Sequence, residues 1–581
     1  MAKALLVHFR QPEDLPLEPL VELLNRRLCP DNITPRPPIF RQAGNTALAV
    51  FNPNDTVEVH GTSACLGAMF EPDAPWWQTG TIAPDGSYAI FRAGERSGVF
   101  SIELLTDILA TRTIWYVLTP QFFAASTSQR ALIALLGSYE PNPQAVSWML
   151  STGVIGPGQS WDHRIQMLPG DSRLRFDPAT WQINLDTAPV EYTSENHRPE
   201  KQYRQVKDSL ARVIGGLEID YSRWRMLLSG GIDSRAILLN LPRGDGLQCI
   251  TWGMRSAMQV KESDAYIAAE LARSLKVPHC YMVTDLHREA DVDVIFDRFL
   301  TAGEGRVDQV RGYMDGFQIW QQLVEDGVQG IIRGDECFGS PPPYSTAYIL
   351  RQMNALTLDD YQNGKKFTGD FGLPANRLPS GLRKRRGEDP RNWSTRMVAQ
   401  HLIPHELAAL NEIKSSFVEV MNPLLSRELV MLSRSLSPAA RTGRVLYDQV
   451  VLDAHPGLSY ATANAVEEVQ DLLKKTAVVQ TVLDTLASDN ARAALPEEML
   501  GYLRNKVQPR GSSGNGNGAK KRKYKQMLPR WLRSFVRDHF SKPNLDSHKA
   551  AFRAYIITRM HGILQEDARL VEEMRETVYL F

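Results

Sequence analysis

Two short stretches place carboxylates beside small residues: Ser229-Gly230-Gly231-Ile232-Asp233-Ser234 and Gly334-Asp335-Glu336. The first follows the apolar run MLL and leads into RAILLNL, so it sits where a strand would hand over to a helix. Gly230 and Gly231 let the backbone approach a ligand and adopt unusual φ/ψ angles. The N–H groups of a helix start then face an anion, and the hydroxyls of Ser229 and Ser234 add donors. Asp233 repels a phosphate, so its place in such a turn makes sense with a Mg²⁺ between them. The stretch has no Lys of the GxxxxGK[ST] loop, which excludes that kind of nucleotide site. The plain alternative is a glycine-rich turn carrying an incidental Asp.

The surrounding elements fit this placement. YRQVKDSLARVIGGL has helical spacing, RWRMLLS reads as a strand and DSRAILLNL as a helix. LQCITWGM, DAYIAAELARSL and VPHCYMVT continue the strand and helix alternation. This is the pattern of βαβ units and a parallel sheet. VQGIIRG reads as one more buried strand, ending at Asp335-Glu336.

Residues 1 to about 190 have a different character. YAIFRAG, SGVFSIELLTD, TIWYVLTP and QFFAAS are short aromatic and β-branched runs separated by turn residues. ALIALLG reads as a short helix, and LPGDSRLRFDP with TWQINLD as a late hairpin. Packed antiparallel sheets are expected there. From about residue 390 the pattern is mainly helical. The stretch GSSGNGNGAKKRKYK from Gly511 has the composition of a mobile basic loop.

With 581 residues the chain is long enough for two or more domains. The 66 Lys and Arg balance the 66 Asp and Glu, which gives no global electrostatic case for nucleic acid or a membrane surface. The five cysteines (Cys29, Cys65, Cys249, Cys280 and Cys337) form no CxxC pair. That disfavours a zinc site or disulfide framework and fits a reducing cytoplasm. The N-terminus does not read as a signal peptide, and no apolar run approaches the roughly 20 residues of a membrane span.

Taken together, SGGIDS, ESDAYIAAELARSLKVPH, IIRGDECFG and VEVMNPLL resemble, in this order, the motifs of the asparagine synthetase family of ATP pyrophosphatases. DGSYAIFRAG, ELLTDILATRTIWYV and FFAASTSQRAL resemble that family's glutaminase-type domain, so the likeness spans roughly residues 60 to 460. It implies an α/β protein. Residues 1–190 would form a glutaminase-like antiparallel β-sandwich, and residues 195–581 a parallel-sheet domain of the adenine nucleotide α-hydrolase type with a helical extension. It also implies ATP and Mg²⁺, adenylation of a carboxylate with release of pyrophosphate, and attack of an amine on the acyl adenylate. Ser229, Gly230, Gly231, Asp233, Ser234 and Gly334 would hold the nucleotide, and Asp233 and Asp335 the Mg²⁺. Glu336 would support that site or cap a helix. Glu419 would orient or assist a base, or form a salt bridge near a helix end.

The chain departs from the family in ways that bear on subclass. Glutamine-using members need a cysteine directly after the initiator Met; here the residue is Ala2, and the first cysteine is Cys29. The N-terminal domain is therefore expected to lack glutaminase activity, and the amine to come from elsewhere. Two branches of the family work this way, one closing β-lactams and one closing the macrolactam ring of lasso peptides. In both, closure is a proximity problem. The β-lactam branch carries a Tyr in its second acidic motif, whereas GIIRGDE has none and Arg333 occupies the approach. The reading leans to a lasso-type cyclase acting on a ribosomal precursor peptide, with a leader-removing protease as companion. A small-molecule amide ligase stands second, and a non-catalytic binding protein on the same scaffold third. The family's late Lys, which would stabilise developing charge, has no clear match. The cluster Lys520, Lys521, Arg522, Lys523 and Lys525 offers candidates, chiefly Lys521 and Lys523, or is a solvated linker.

Other features have plain readings: His279 as a strand-start residue, Trp76-Trp77 as core, Cys337 as a small packed side chain, and RKRRG at Arg383 as a solvated loop.

Overall fold

The computed structural model describes residues 2–11, 17–71, 73–193, 198–286, 291–507 and 542–578. The N-terminal half carries β1 (Lys3–Phe9), β2 (Ile39–Ala43), β3 (Thr46–Phe51), β4 (Glu58–His60), β5 (Ser63–Met69) and β6 (Gly86–Arg96). They are followed by β7 (Val99–Thr106), β8 (Trp115–Leu118), β9 (Phe122–Ser126), β10 (Gln166–Met167), β11 (Ser172–Asp177) and β12 (Gln182–Thr187). Two antiparallel sheets result, in the orders β10-β8-β9-β1-β3-β2 and β12-β11-β7-β6-β5-β4.

The alternation along β1 shows how these sheets stack. Ala4 and Leu6 pack with Leu66, Phe91 and Leu104 of the facing sheet. Leu5, Val7 and Phe9 face outward onto the helices Leu17–Arg27 and Gln129–Leu136. A strand covered on both faces reads as a continuous apolar run rather than an alternating one. That is why KALLVHF and TALAVF, each buried along its whole length, carry a weaker strand signal than the later hairpins.

The second half contains β13 (Trp224–Leu227), β14 (Cys249–Gly253), β15 (His279–Val283), β16 (Gly330–Ile332) and β17 (Glu419–Met421). All four pairings in the order β15-β14-β13-β16-β17 are parallel. The expected α/β class, with antiparallel sheets followed by a parallel one, is present. EVM forms the edge strand β17 within a stretch that reads as helical by sequence. A three-residue strand has too few positions to show a period.

The helices Pro199–Gly215, Ile232–Asn240 and Asp264–Ser274 pack on one face of the parallel sheet, and Val292–Gly303 and Ala408–Ser415 on the other. The core on that second face continues into the N-terminal half without a break. The long helix Ser547–Val578 completes it by lying against Leu17–Arg27 and Gln129–Leu136. Its Asp567 receives Arg130 Nε at 2.6 Å and Arg27 Nε at 3.1 Å. No helix of the described residues is long and apolar enough to cross a membrane.

Candidate functional site

Chain direction over the parallel sheet creates a crevice. From β13 the connections run outward through β14 to β15, whereas β16 lies on β13's other side. The loops leaving the carboxyl ends of β13 and β16 therefore diverge, and such a switch point is where open parallel sheets bind ligands. The β13 loop is Leu228–Gly231 and the β16 loop begins at Arg333.

The β13 loop is stapled by its own serines. Ser234 Oγ accepts from Ser229 N at 3.0 Å and donates to Ser229 O at 3.1 Å, while Gly231 N donates to Ser229 Oγ at 3.2 Å. Gly231 is the N-cap of Ile232–Asn240, and no side chain caps that helix start. Contrary to expectation, neither Gly230 nor Gly231 adopts a positive φ. Their smallness serves space instead. A Cβ on Gly230 would lie 2.5 Å from Ala461 Cβ and 3.0 Å from Asp264 Cα. Gly334 has the same reason: its Cβ would lie 2.9 Å from Ser234 N, so the two loops pack backbone to backbone.

A strap covers the β13 loop. Ala461 N donates to Gly230 O at 2.9 Å, and Arg235 reaches back to Leu458 O and Ser459 O at 2.7 and 2.9 Å. This is the stretch HPGLSYATANAVEE, and Ala465 and Val466 from it line the crevice.

Two cavities meet in the crevice. One, of about 270 Å³, is bordered by Ser229, Ser234, Thr251, Trp252 and Asp264. The other, of about 450 Å³, has a charged end at Glu336 and Arg444 and an apolar wall of Met353, Val398, Leu402 and Leu407. Asp233, Gly334 and Asp335 border both.

Asp233 faces the cavities with 28% of its side chain exposed. Its carboxyl is pushed above the usual carboxylate range, first by burial and then by the charge of Glu336, with Arg444 opposing. Glu336 is raised by burial, against the same arginine. Arg444 Nη1 lies 3.0 Å from Asp233 Oδ1 and 2.9 Å from Glu336 Oε1, and its Nη2 lies 3.2 Å from Asp448 Oδ1. One guanidinium thus serves three carboxylates. Glu336 also receives the N–H of Phe338, so it acts as a loop cap as well as an ion-pair partner. Asp335 is held on one oxygen by Arg333 Nε at 2.8 Å and on the other by Asn411 Nδ2 at 3.0 Å.

The structure therefore brings Ser229, Gly230, Gly231, Asp233, Ser234, Gly334 and Asp335 into one crevice. It does not bring Glu419 there. Glu419 is fully buried in β17, bordering neither cavity, and pairs with Arg112 Nη2 of the N-terminal half at 3.1 Å. Lys521 and Lys523, with the rest of the basic cluster, lie outside the described residues. Sequence reasoning missed Arg444, Asp448 and Asn411, which belong to no motif and reach the site only through the fold.

The remaining features keep plain roles. His279 opens β15 and shares a 2.9 Å hydrogen bond with Thr251. Trp76 is buried, its indole donating to Glu58 at 2.5 Å. Burial, with Glu336 adding to it, pushes the Cys337 thiol up, away from reactivity. Arg383 to Arg386 are exposed.

No known family model matches the chain, and no curated protein is detectably similar to it in sequence. Solved structures that match in part include a glutamine phosphoribosylpyrophosphate amidotransferase from B. subtilis, complexed with ADP and GMP. It is 8% identical, with 59% of this chain and 82% of that chain covered and a TM-score of 0.19. Another, titled as the allosteric regulatory enzyme of purine biosynthesis, is 6% identical, with 54% and 94% covered and a TM-score of 0.20.

Proposed function

We propose that the chain is an ATP-dependent amide-forming enzyme that adenylates a carboxylate and closes it onto an amine, most concretely the macrolactam of a ribosomal peptide. The observation that supports this is the meeting of two cavities at Asp233, Gly334 and Asp335. One lies beside an uncapped helix start suited to phosphates. The other offers an apolar wall to the body of an acyl substrate, so the two reactants would meet at the shared border.

The residues fit a magnesium nucleotide. Among the described residues no group of three His, Cys, Asp or Glu gathers as a metal cage. Mg²⁺ instead takes one or two carboxylates plus substrate phosphates, and Asp233 and Asp335 are such a pair. The crowding of Asp233 by Glu336 gives a cation there something to relieve. Bound Mg²⁺ would offset phosphate charge during adenylyl transfer. Asp233 and Asp335 would hold it, Ser229 and Ser234 would shape the phosphate turn, and Arg333 and Asn411 would keep Asp335 oriented. Arg444 would hold the acids apart from the acyl substrate's own carboxylate. A peptide substrate implies a precursor and a leader-removing protease as partners.

The test is pyrophosphate release from ATP and Mg²⁺, with glutamine, free amino acids, and a leader-free peptide bearing an internal Asp or Glu offered in parallel. Release with loss of one water from the peptide is the expected result. Release only with a small amino acid would move the reading to a small-molecule ligase, and no release with any would leave a binding protein on this scaffold.

A further inference from the structure

Apart from the crevice, a cavity of about 280 Å³ lies between the N-terminal half and the helical segment Val398–Leu407. That is close to the roughly 300 Å³ at which small-ligand pockets begin. Ile108, Met167 and Val190 border it on one side, and Leu382, Ala399 and Pro404 on the other. Thr187, Ala188 and Gly381 on its border are exposed, so it opens to solvent there. It shares no residue with the two cavities of the crevice, although Val398, Leu402 and Leu407 of the same helical segment line one of those.

The wall carries hydrogen-bond donors and no acid. Among the described residues no Asp, Glu, Lys or Arg borders the cavity. Gln400 Oε1 accepts from Arg396 Nη1 at 3.1 Å, and a guanidinium only donates, so the orientation of the amide is fixed. Its Nε2 hydrogens then have no acceptor among the described residues. His405 also borders the cavity, and neither of its ring nitrogens has a partner among the described residues. Burial, then the charges of His401 and Arg306, hold that ring neutral, so one nitrogen still donates.

The adjoining loop is basic. Arg383, Lys384, Arg385 and Arg386 directly follow Leu382 and are exposed. None of the four forms a salt bridge among the described residues. Arg383 Nε donates to Leu378 O at 2.9 Å, which lays its guanidinium against the loop whose Pro379, Gly381 and Leu382 border the cavity. Arg396 Nη1 ties this loop to Gln400 by also donating to Gly381 O at 2.6 Å. An apolar space thus opens beside four cations that lack partner acids, in a chain of zero net charge.

We propose that this cavity binds a small amphipathic carboxylate, of the kind of a medium-chain fatty acid anion. The hydrocarbon chain lies among Ile108, Met167, Val190 and Pro404, and the carboxylate stays toward the mouth, where Gln400 and Arg383 donate to it. A carboxylate accepts only, which matches a wall of donors. An acidic peptide would use the basic loop and leave the apolar space unfilled, so the two features together favour one small molecule. The inference does not depend on the reaction in the crevice.

Calorimetric titration of the full chain with sodium decanoate tests this, with a hexaglutamate peptide titrated in parallel. The expected result is saturable binding of a single decanoate per chain and none of the peptide. Ala188→Trp, which places an indole at the exposed mouth, should abolish decanoate binding while the melting temperature stays unchanged. Should that variant fold poorly, the doubly substituted Arg383→Gln, Lys384→Gln protein, altered only on the exposed loop, gives a separate reading. It should weaken decanoate binding by about fivefold, the worth of a surface charge contact. No saturable binding of decanoate up to about 1 mM would overturn the proposal. Binding unchanged in a well-folded Ala188→Trp or in the double variant would do the same, as would capture of hexaglutamate in place of decanoate.

Discussion

Arg444 Nη1 sits 3.0 Å from Asp233 Oδ1, on a backbone held at φ +59°. A left-handed conformation is uncommon for a non-glycine residue and costs of order 1 kcal/mol. The same turn carries the guanidinium to Glu336 and Asp448. Arg444→Met should therefore leave three acids uncompensated and destabilise the fold by about 2 kcal/mol in urea denaturation. The loss should shrink at low pH, where the acids are protonated.

Asp233→Asn keeps the shape and removes the charge that would meet a metal. Pyrophosphate release should fall to background while the thermal midpoint stays the same or rises, because a crowded carboxylate has gone. Undiminished turnover would remove Asp233 from the metal site.

Gly230→Ala tests the strap. Its new methyl would stand 2.5 Å from Ala461 Cβ and 3.0 Å from Ile267 Cβ. Overpacking of this kind should cost about 2 kcal/mol. It should also raise the KM for ATP as the strap lifts, read by steady-state kinetics beside a melting curve.

Glu419→Gln separates structure from chemistry. The change should cost about 3 kcal/mol by leaving the Arg112 guanidinium short of its partner. Per folded molecule, pyrophosphate release should persist. Abolished release in a well-folded variant would return Glu419 to the reaction.

Glu406 predicts a pH dependence of stability. Its carboxyl is pushed up to about 7, first by burial and further by the charge of Asp308, against hydrogen bonds from Asn354 and Gln309. A group whose proton is held more tightly in the folded state contributes stability that is full below its unfolded value of 4.5 and is lost as pH rises through about 7. Between pH 5 and 8 the native protein should lose about 2 kcal/mol more than Glu406→Gln, measured by chemical denaturation across that range.

The crevice was legible in the sequence because its makers are local. SGGIDS and GDE each combine small residues with acids at a strand end, and both strands appear where the apolar runs place them. Glu419 was harder to place. The family resemblance of VEVMNPLL singled it out, but which way a strand residue points depends on the register of an edge strand only three residues long. Arg444 and Asn411 had no local mark, since a lone arginine after Gly443 and an asparagine in a helix gain meaning only when chain crossings bring them to Asp233 and Asp335. β1 and β3 are hard to see in the sequence for the opposite reason: both are buried along their whole length, so the period-two signal is absent.

The helix Ser547–Val578 has a consequence for how the protein is made. Arg130 and its partner Asp567 are 437 residues apart. At about 5–20 residues per second, roughly 20–90 s of synthesis separate them. For that interval the faces of Leu17–Arg27 and Gln129–Leu136 that await this helix stay uncovered on the growing chain. Until Ser547–Val578 is made, the N-terminal half presents an apolar face without that cover, and truncation before this helix should yield an aggregating product rather than a smaller folded one.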